Sequence, residues 1–247
     1  MTPLLEVCVG TTADIEAAAQ GGADRVELCA ATSVGGLTPS AAAIAAAARG
    51  PCPVHVLIRP REGGFTYDDP DAALIADDIA RALDLGVAGV VIGAGLPDGR
   101  LDLSRLEQWI GRARRINNTA DVTLHRAFDL CPDLGQALEQ AAALGFDRIL
   151  TSGGRPRAPD AVSTLIALHE QADGRLTIMP GGGVNAGNVA PLLAGGLTAF
   201  HASCSEPVGA DGQDPRLLEF GFVAPATRRT AGAQVAAMRK ALNGQGK

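Results

Sequence analysis

Four glycines punctuate the chain in the same way: Gly22-Ala-Asp-Arg-Val, Gly86-Val-Ala-Gly-Val, Gly145-Phe-Asp-Arg-Ile and Gly196-Leu-Thr-Ala-Phe. Each follows a segment rich in alanine or leucine and precedes a short apolar run, so each reads as the end of a helix leading into a strand. They recur roughly 50 to 65 residues apart, which suits one βαβα unit. Four such units give eight strands and eight helices, and the 247 residues match the ~250 typical of a (β/α)8 barrel. The expectation is an α/β fold, a single TIM-barrel domain over residues 1–247. A doubly wound open sheet is the alternative, but it offers no reason for eight βα units or for polar residues on strands buried on both faces.

The strands are expected at Leu4–Cys8, Ala23–Ala30, Val54–Arg59, Gly89–Ile92, Val122–Arg126, Arg148–Thr151, Leu176–Met179 and Thr198–His201. Thr11 with Asp14 looks like a capping box for a first helix to Gln20, and Thr38-Pro39 supplies an N-cap and first-turn proline for a second, through Arg49. Further helices are expected at Pro70–Leu85, Asp102–Ile116, Pro132–Leu144, Ala161–Gln171, Asn185–Leu193 and Thr230–Leu242. In the first of these Ile75, Ile79, Ala82 and Leu83 form one apolar stripe, with Asp77 and Arg81 paired opposite. The segment Gly209 to Gly212 is expected to be the loosest.

Aromatic residues make up 3% of the chain and glycine 31 positions, which favours closely packed helices on a sheet over an aromatic sandwich. A net charge of -6 without long like-charged blocks argues against a nucleic-acid surface or a polybasic membrane anchor, and leaves a small anionic ligand open. No apolar run reaches the ~18 residues of a membrane helix, and Met1 to Glu6 lacks the basic start of a secretory signal, so a cytoplasmic location is expected. Cys8, Cys29, Cys52, Cys131 and Cys204 are odd in number and contain no Cys-x-x-Cys pair. Reduced thiols are expected rather than a disulfide framework.

Strand parity assembles a candidate site. Leu5-Glu-Val-Cys and Val26-Glu-Leu-Cys put Glu6 with Cys8, and Glu27 with Cys29, on the same face of consecutive strands, with Arg25 beside the second pair. On alternation, His55, Arg59, His125, Thr151 and His201 join them inside the barrel. Two carboxylates there repel, so Glu6 and Glu27 must share a proton or hold a cation such as Arg59 between them. Isolated buried cysteines usually act as small hydrophobes, and Cys52, Cys131 and Cys204 are read that way.

The run Pro180-Gly-Gly-Gly-Val follows the seventh strand, where many barrels hold phosphate. Gly181, Gly182 and Gly183 are candidates for such a cradle, with Ser152, Gly153 and Ser203 completing it and Arg59, Arg61, Arg126 and His201 as further ligand contacts. An acid–base enzyme would use Glu6 or Glu27 with His125 as proton partner. No lysine lies between Leu4 and Cys204, which removes Schiff-base chemistry on a strand.

Leu5-Glu-Val-Cys, Gly22-Ala-Asp-Arg-Val-Glu-Leu-Cys, Gly35-Gly-Leu-Thr-Pro-Ser, Ile58-Arg-Pro-Arg, Thr123-Leu-His-Arg-Ala-Phe-Asp, Leu150-Thr-Ser-Gly and Pro180-Gly-Gly-Gly-Val together resemble the CutC family, named for copper homeostasis. The resemblance runs from Leu4 to Ser203. It implies a cytoplasmic TIM barrel, a homo-oligomer, with Cu(I) held by thiols that fall here on Cys8 and Cys29. Two functions are therefore carried forward: a copper-handling protein, and a barrel enzyme acting on a small phosphorylated or carboxylated metabolite. The chain departs from the pattern after Arg61, where Glu62 precedes Gly63-Gly64-Phe65, and over Cys204 to Asp214.

Overall fold

A computed structural model describes residues 2–207, 214–223 and 228–244. Eight parallel strands run β1 (Leu4–Val9), β2 (Arg25–Leu28), β3 (Val54–Leu57), β4 (Gly89–Ile92), β5 (Asp121–Leu124), β6 (Arg148–Thr151), β7 (Thr177–Pro180) and β8 (Ala199–Ala202). The hydrogen-bonded order β7-β6-β5-β4-β3-β2-β1-β8 brings β7 and β8 together at the seam of a nearly closed barrel. The helices are α1 (Thr12–Gly21), α2 (Ala41–Ala47), α3 (Asp69–Asp84), α4 (Leu103–Ile116), α5 (Leu134–Leu144), α6 (Val162–Ala172), α7 (Ala190–Ala194), α8 (Arg216–Glu219) and α9 (Gly232–Leu242). The fold is the expected TIM barrel.

Local chemistry sets the element boundaries. The Thr11 side chain accepts from Asp14 N, and Gly22 in the left-handed region closes α1, both as the sequence indicates. The second helix differs: Ser40 caps it, while Thr38 Oγ1 accepts from Arg59 N and ties the loop to β3. β5 stops at Leu124 because the His125 ring accepts from Ala127 N and starts a 3-10 turn over Arg126–Leu130. α7 is much shorter than expected: the side-chain amides of Asn185 and Asn188 both donate to Gly183 O, and Asn188 Oδ1 accepts from Asn185 N, so these residues form a turn instead of extending the helix. A small antiparallel ribbon, β9 (Ser205–Pro207) with β10 (Arg228–Thr230), follows β8 and was not anticipated. The segment expected to be loosest lies outside the described residues.

The core is the annulus between strands and helices. Leu5, Val7, Val26, Leu28, Val56, Val90, Ile92, Val122, Leu124, Ile149, Ile178 and Phe200 all pack there, and most are wholly buried. Because that annulus supplies the hydrophobic stabilisation, the barrel interior is free to be polar. Among the described residues, no helix is long and apolar enough to cross a membrane.

Candidate functional site

The lumen holds two polar tiers. At the lower end, Arg25, His55, Asp121 and Arg148 form a charged cluster: Asp121 lies 2.9 Å from Arg148, 3.5 Å from His55 and 3.7 Å from Arg25. Gly89 opposite them has no room for a side chain, since a Cβ there would stand 2.5 Å from Asp121 O and 2.9 Å from the His55 ring. Burial, with Arg25 nearby, lowers the pKa of His55 to about 4, so the ring is neutral and adds no further cation to the cluster.

Above this lie the carboxylates and thiols. The β1–β2 register sets Glu6 opposite Arg25 and Cys8 opposite Glu27, and the β1–β8 register sets Glu6 opposite His201. Arg25 Nε donates to Glu6 Oε2 at 2.5 Å, His201 Nδ1 lies 2.8 Å from Glu6 Oε1, and His201 Nε2 lies 3.7 Å from Glu27 Oε2. The cation between the carboxylates is therefore His201, with Arg25 on the Glu6 side, and not Arg59. Arg59 instead donates to the carbonyls of Val34, Gly36 and Gly63 and lies over the Phe65 ring, organising two loops of the mouth.

These contacts separate the two acids. Burial alone would raise the pKa of Glu6, but Arg25 and His201 outweigh it and hold the group ionised, well below the usual carboxylate range. Glu27 has no such cation at hydrogen-bonding distance, and burial raises it to about 8 despite His201. Burial would also discharge His201, yet its contacts with Cys8, Glu6 and Glu27 raise it well above the ordinary imidazole value. Cys8 Sγ and Cys29 Sγ stand 3.9 Å apart. Their hydrogen bond lowers the Cys8 thiol to about 5 and, with burial, drives Cys29 well above the usual range. The pair thus carries one proton and one negative charge beside an imidazolium. Donor atoms of Cys8, Glu27 and His201 all lie within 4.8 Å of one another, a spacing that suits a metal ion.

The thiols form the floor of a cavity of about 740 Å³ at the C-terminal end of the barrel. His125, Arg126, Gly182, Gly183, His201 and Ser203 all line it. His125 is not the proton partner of a carboxylate: it is buried against Phe65 with ring centroids 4.7 Å apart, and burial lowers its pKa to about 3.

Three other expectations are corrected. Arg61 turns away from the mouth, pairing with Asp71 at 2.6 Å and lying over Tyr67, so it contacts no ligand there. The amides of Ser152 and Gly154 are not an open cradle, because the Asp129 carboxylate accepts from both at 3.0 Å, and Gly153 N donates to Thr151 Oγ1. Thr151 faces away from the lumen: its hydroxyl donates to Asp129, while Leu150 points inward with Met179, Ala199 and Leu4. Cys52, Cys131 and Cys204 lie apart from the site, and burial raises each of their thiols, the last two to about 11.

Arg25 and Asp129 are the site residues to which sequence reasoning gave no role. Arg25 was legible by parity on the Glu27 face, but its pairing with Glu6 follows from a register that no single strand encodes. The signal for Asp129 is its place three residues after Arg126, with which it forms an ion pair at 2.8 Å.

Residues 3–206 match the model of the CutC family. A family protein CutC of Sinorhizobium medicae is 50% identical over 243 residues, 97% of this chain and 96% of its own length. One from Caulobacter vibrioides is 48% identical over 242 residues, again 97% and 96%. The crystal structure of CutC from Streptococcus agalactiae, provisionally described as a copper homeostasis protein, superposes with a TM-score of 0.76 at 32% identity, covering 81% of this chain and 98% of that one.

Proposed function

Because the chain belongs to the CutC family, we propose that it serves copper homeostasis by holding Cu(I) at Cys8 and Cys29. The observation that carries this reading is the pair of sulfurs 3.9 Å apart on the cavity floor. With metal–sulfur bonds of ~2.3 Å, a 3.9 Å separation subtends about 116° at the metal, which suits three ligands and not a linear pair. His201 Nε2 is the third donor of choice: the atoms already within 4.8 Å of one another are those of Cys8, Glu27 and His201, and copper binding has to draw the Cys29 sulfur in to take the place of Glu27 in that set. Two sulfurs and an imidazole form a soft donor set that selects Cu(I) over hard cations.

Copper arrives here as cargo. Its binding releases the proton of Cys29 and that of His201, so affinity rises with pH. The reading requires a reducing compartment, hence the cytoplasm. A homo-oligomer built from one TIM-barrel domain per chain belongs to the same proposal. X-ray absorption at the copper edge of anaerobically loaded protein tests it: two sulfurs and one nitrogen are expected, and a shell without sulfur would refute it.

The cavity volume favours a second reading, an enzyme on a small phosphorylated or carboxylated metabolite. About 740 Å³ is within the range of organic-ligand pockets and far exceeds what one ion needs. Glu27, protonated below about pH 8, would be its general acid.

A further inference from the structure

We propose that the cavity wall formed by Arg126 and the backbone of residues 182–184 binds the phosphoryl group of a small organic phosphate, above the thiols and separate from them. This inference stands whether or not the thiols hold copper.

Arg126 is fixed from behind. Its Nε donates to Asp129 at 2.8 Å and its Nη2 to Ser152 Oγ at 2.5 Å. Asp129 is locked in turn by Thr151 Oγ1 at 2.5 Å and by the amides of Ser152 and Gly154, each at 3.0 Å. A carboxylate whose side chain is 6% exposed is thus committed to aiming one guanidinium. The remaining nitrogen, Nη1, has no acceptor among the described residues. It lies against Gly182, 3.1 Å from where a Cβ would stand, so any larger residue there would press on the guanidinium.

The backbone beside it is equally unspent. Gly182 and Gly183 have φ of 91° and 78°, a turn backbone that disfavours side chains, so these two residues present bare amides. Among the described hydrogen bonds, the N–H groups of Gly182, Gly183 and Val184 find no acceptor. His125 also lines the cavity. His125 is 4% exposed, its Nδ1 accepts from Ala127 N, and its Nε2 has no partner. The engaged Nδ1 puts the proton of the neutral ring on Nε2, so the orphan is a donor lacking an acceptor.

Charge points the same way. In a chain of net charge -6, the cavity lining holds four arginines, Arg59, Arg126, Arg228 and Arg229, against the carboxylates of Asp14 and Glu27. One guanidinium edge satisfies a planar carboxylate. A guanidinium with successive amides beside it, two kinds of donor on one wall, matches the several terminal oxygens of a phosphoryl group. Leu57, Phe65, Leu150 and Val184 in the same lining offer apolar surface to the organic body.

The test is calorimetric titration of the metal-free protein at constant ionic strength with inorganic phosphate, glycerol phosphate and malonate. Metal-free conditions keep the result independent of the copper reading. Saturable phosphate binding is expected, tighter for glycerol phosphate and weaker for malonate. Arg126→Gln should weaken it at least about tenfold. Val184→Asp should do the same by placing a carboxylate beside the amides without touching Asp129, and circular dichroism confirms that each variant folds. Absence of saturable phosphate binding up to about 10 mM, undiminished binding in folded Val184→Asp, or a preference for malonate would each overturn the proposal.

Discussion

His201 Nδ1 lies 2.8 Å from Glu6 Oε1, and its other ring nitrogen reaches to within 3.7 Å of Glu27. One imidazolium therefore spans two carboxylates on adjacent strands and lies beside the Cys8 sulfur. The charge state of the thiol depends first on its hydrogen bond with Cys29 and then on that ring.

Cys8 should accordingly react as a thiolate at mildly acidic pH. With its pKa lowered to about 5, its iodoacetamide alkylation should already be near its plateau at about pH 6, where a free thiol of pKa ~8.5 is still mostly protonated. His201→Gln should shift the profile upward by at least about one unit. Mass spectrometry of modified Cys8 across pH reads both. A wild-type profile that keeps climbing to pH 8 would refute the assignment.

Glu27 sets the pH dependence of stability. Its folded pKa of about 8 exceeds the unfolded value of 4.5, so the folded state holds its proton more tightly. The stabilisation this gives is complete below about pH 4.5 and is lost progressively as pH rises through 8. Glu27→Gln cannot ionise, so its melting temperature should equal or exceed that of the wild type at pH 7. The difference should widen between pH 5 and 8 and then level off. Thermal unfolding of both proteins across that range decides it. A large loss of stability in the variant at pH 7 would make Glu27 a structural partner instead.

Arg25 should be the costliest single loss in the lumen. Arg25→Met leaves the Glu6 charge, 1% exposed, half orphaned: Oε2 loses its donor and His201 on Oε1 is the remaining cation at hydrogen-bonding distance, and removing one partner of a buried ion pair ordinarily costs about 3–5 kcal/mol. Adding Glu6→Gln should restore much of that, because the orphaned charge is gone. Urea unfolding midpoints measure both. An Arg25→Met variant as stable as the wild type would remove the ion pair from the account.

What the sequence makes legible follows from how far each signal reaches. The recurring glycines and the Glu-x-Cys repeats act within one or two elements, and they locate the barrel and the faces of β1 and β2. The inward face of β6 was not legible, because Ile149, Leu150 and Thr151 are all buried and alternation carries no polarity there. Arg59 looked like the lumen cation since it ends an apolar strand, but loop carbonyls from two other segments claim it. The cradle after β6 looked open because its occupant, Asp129, comes from the neighbouring βα loop. Contacts across elements decide each of these, and a single strand pattern does not record them.

Anaerobic Cu(I) titration against a competing chelator asks whether the two lumen thiols hold the metal. One Cu(I) per chain is expected in the wild type, retained in Cys52→Ser, whose thiol lies away from the site, and lost when Cys8 and Cys29 are both replaced by serine. Stoichiometric Cu(I) binding that survives in the folded double variant would contradict it.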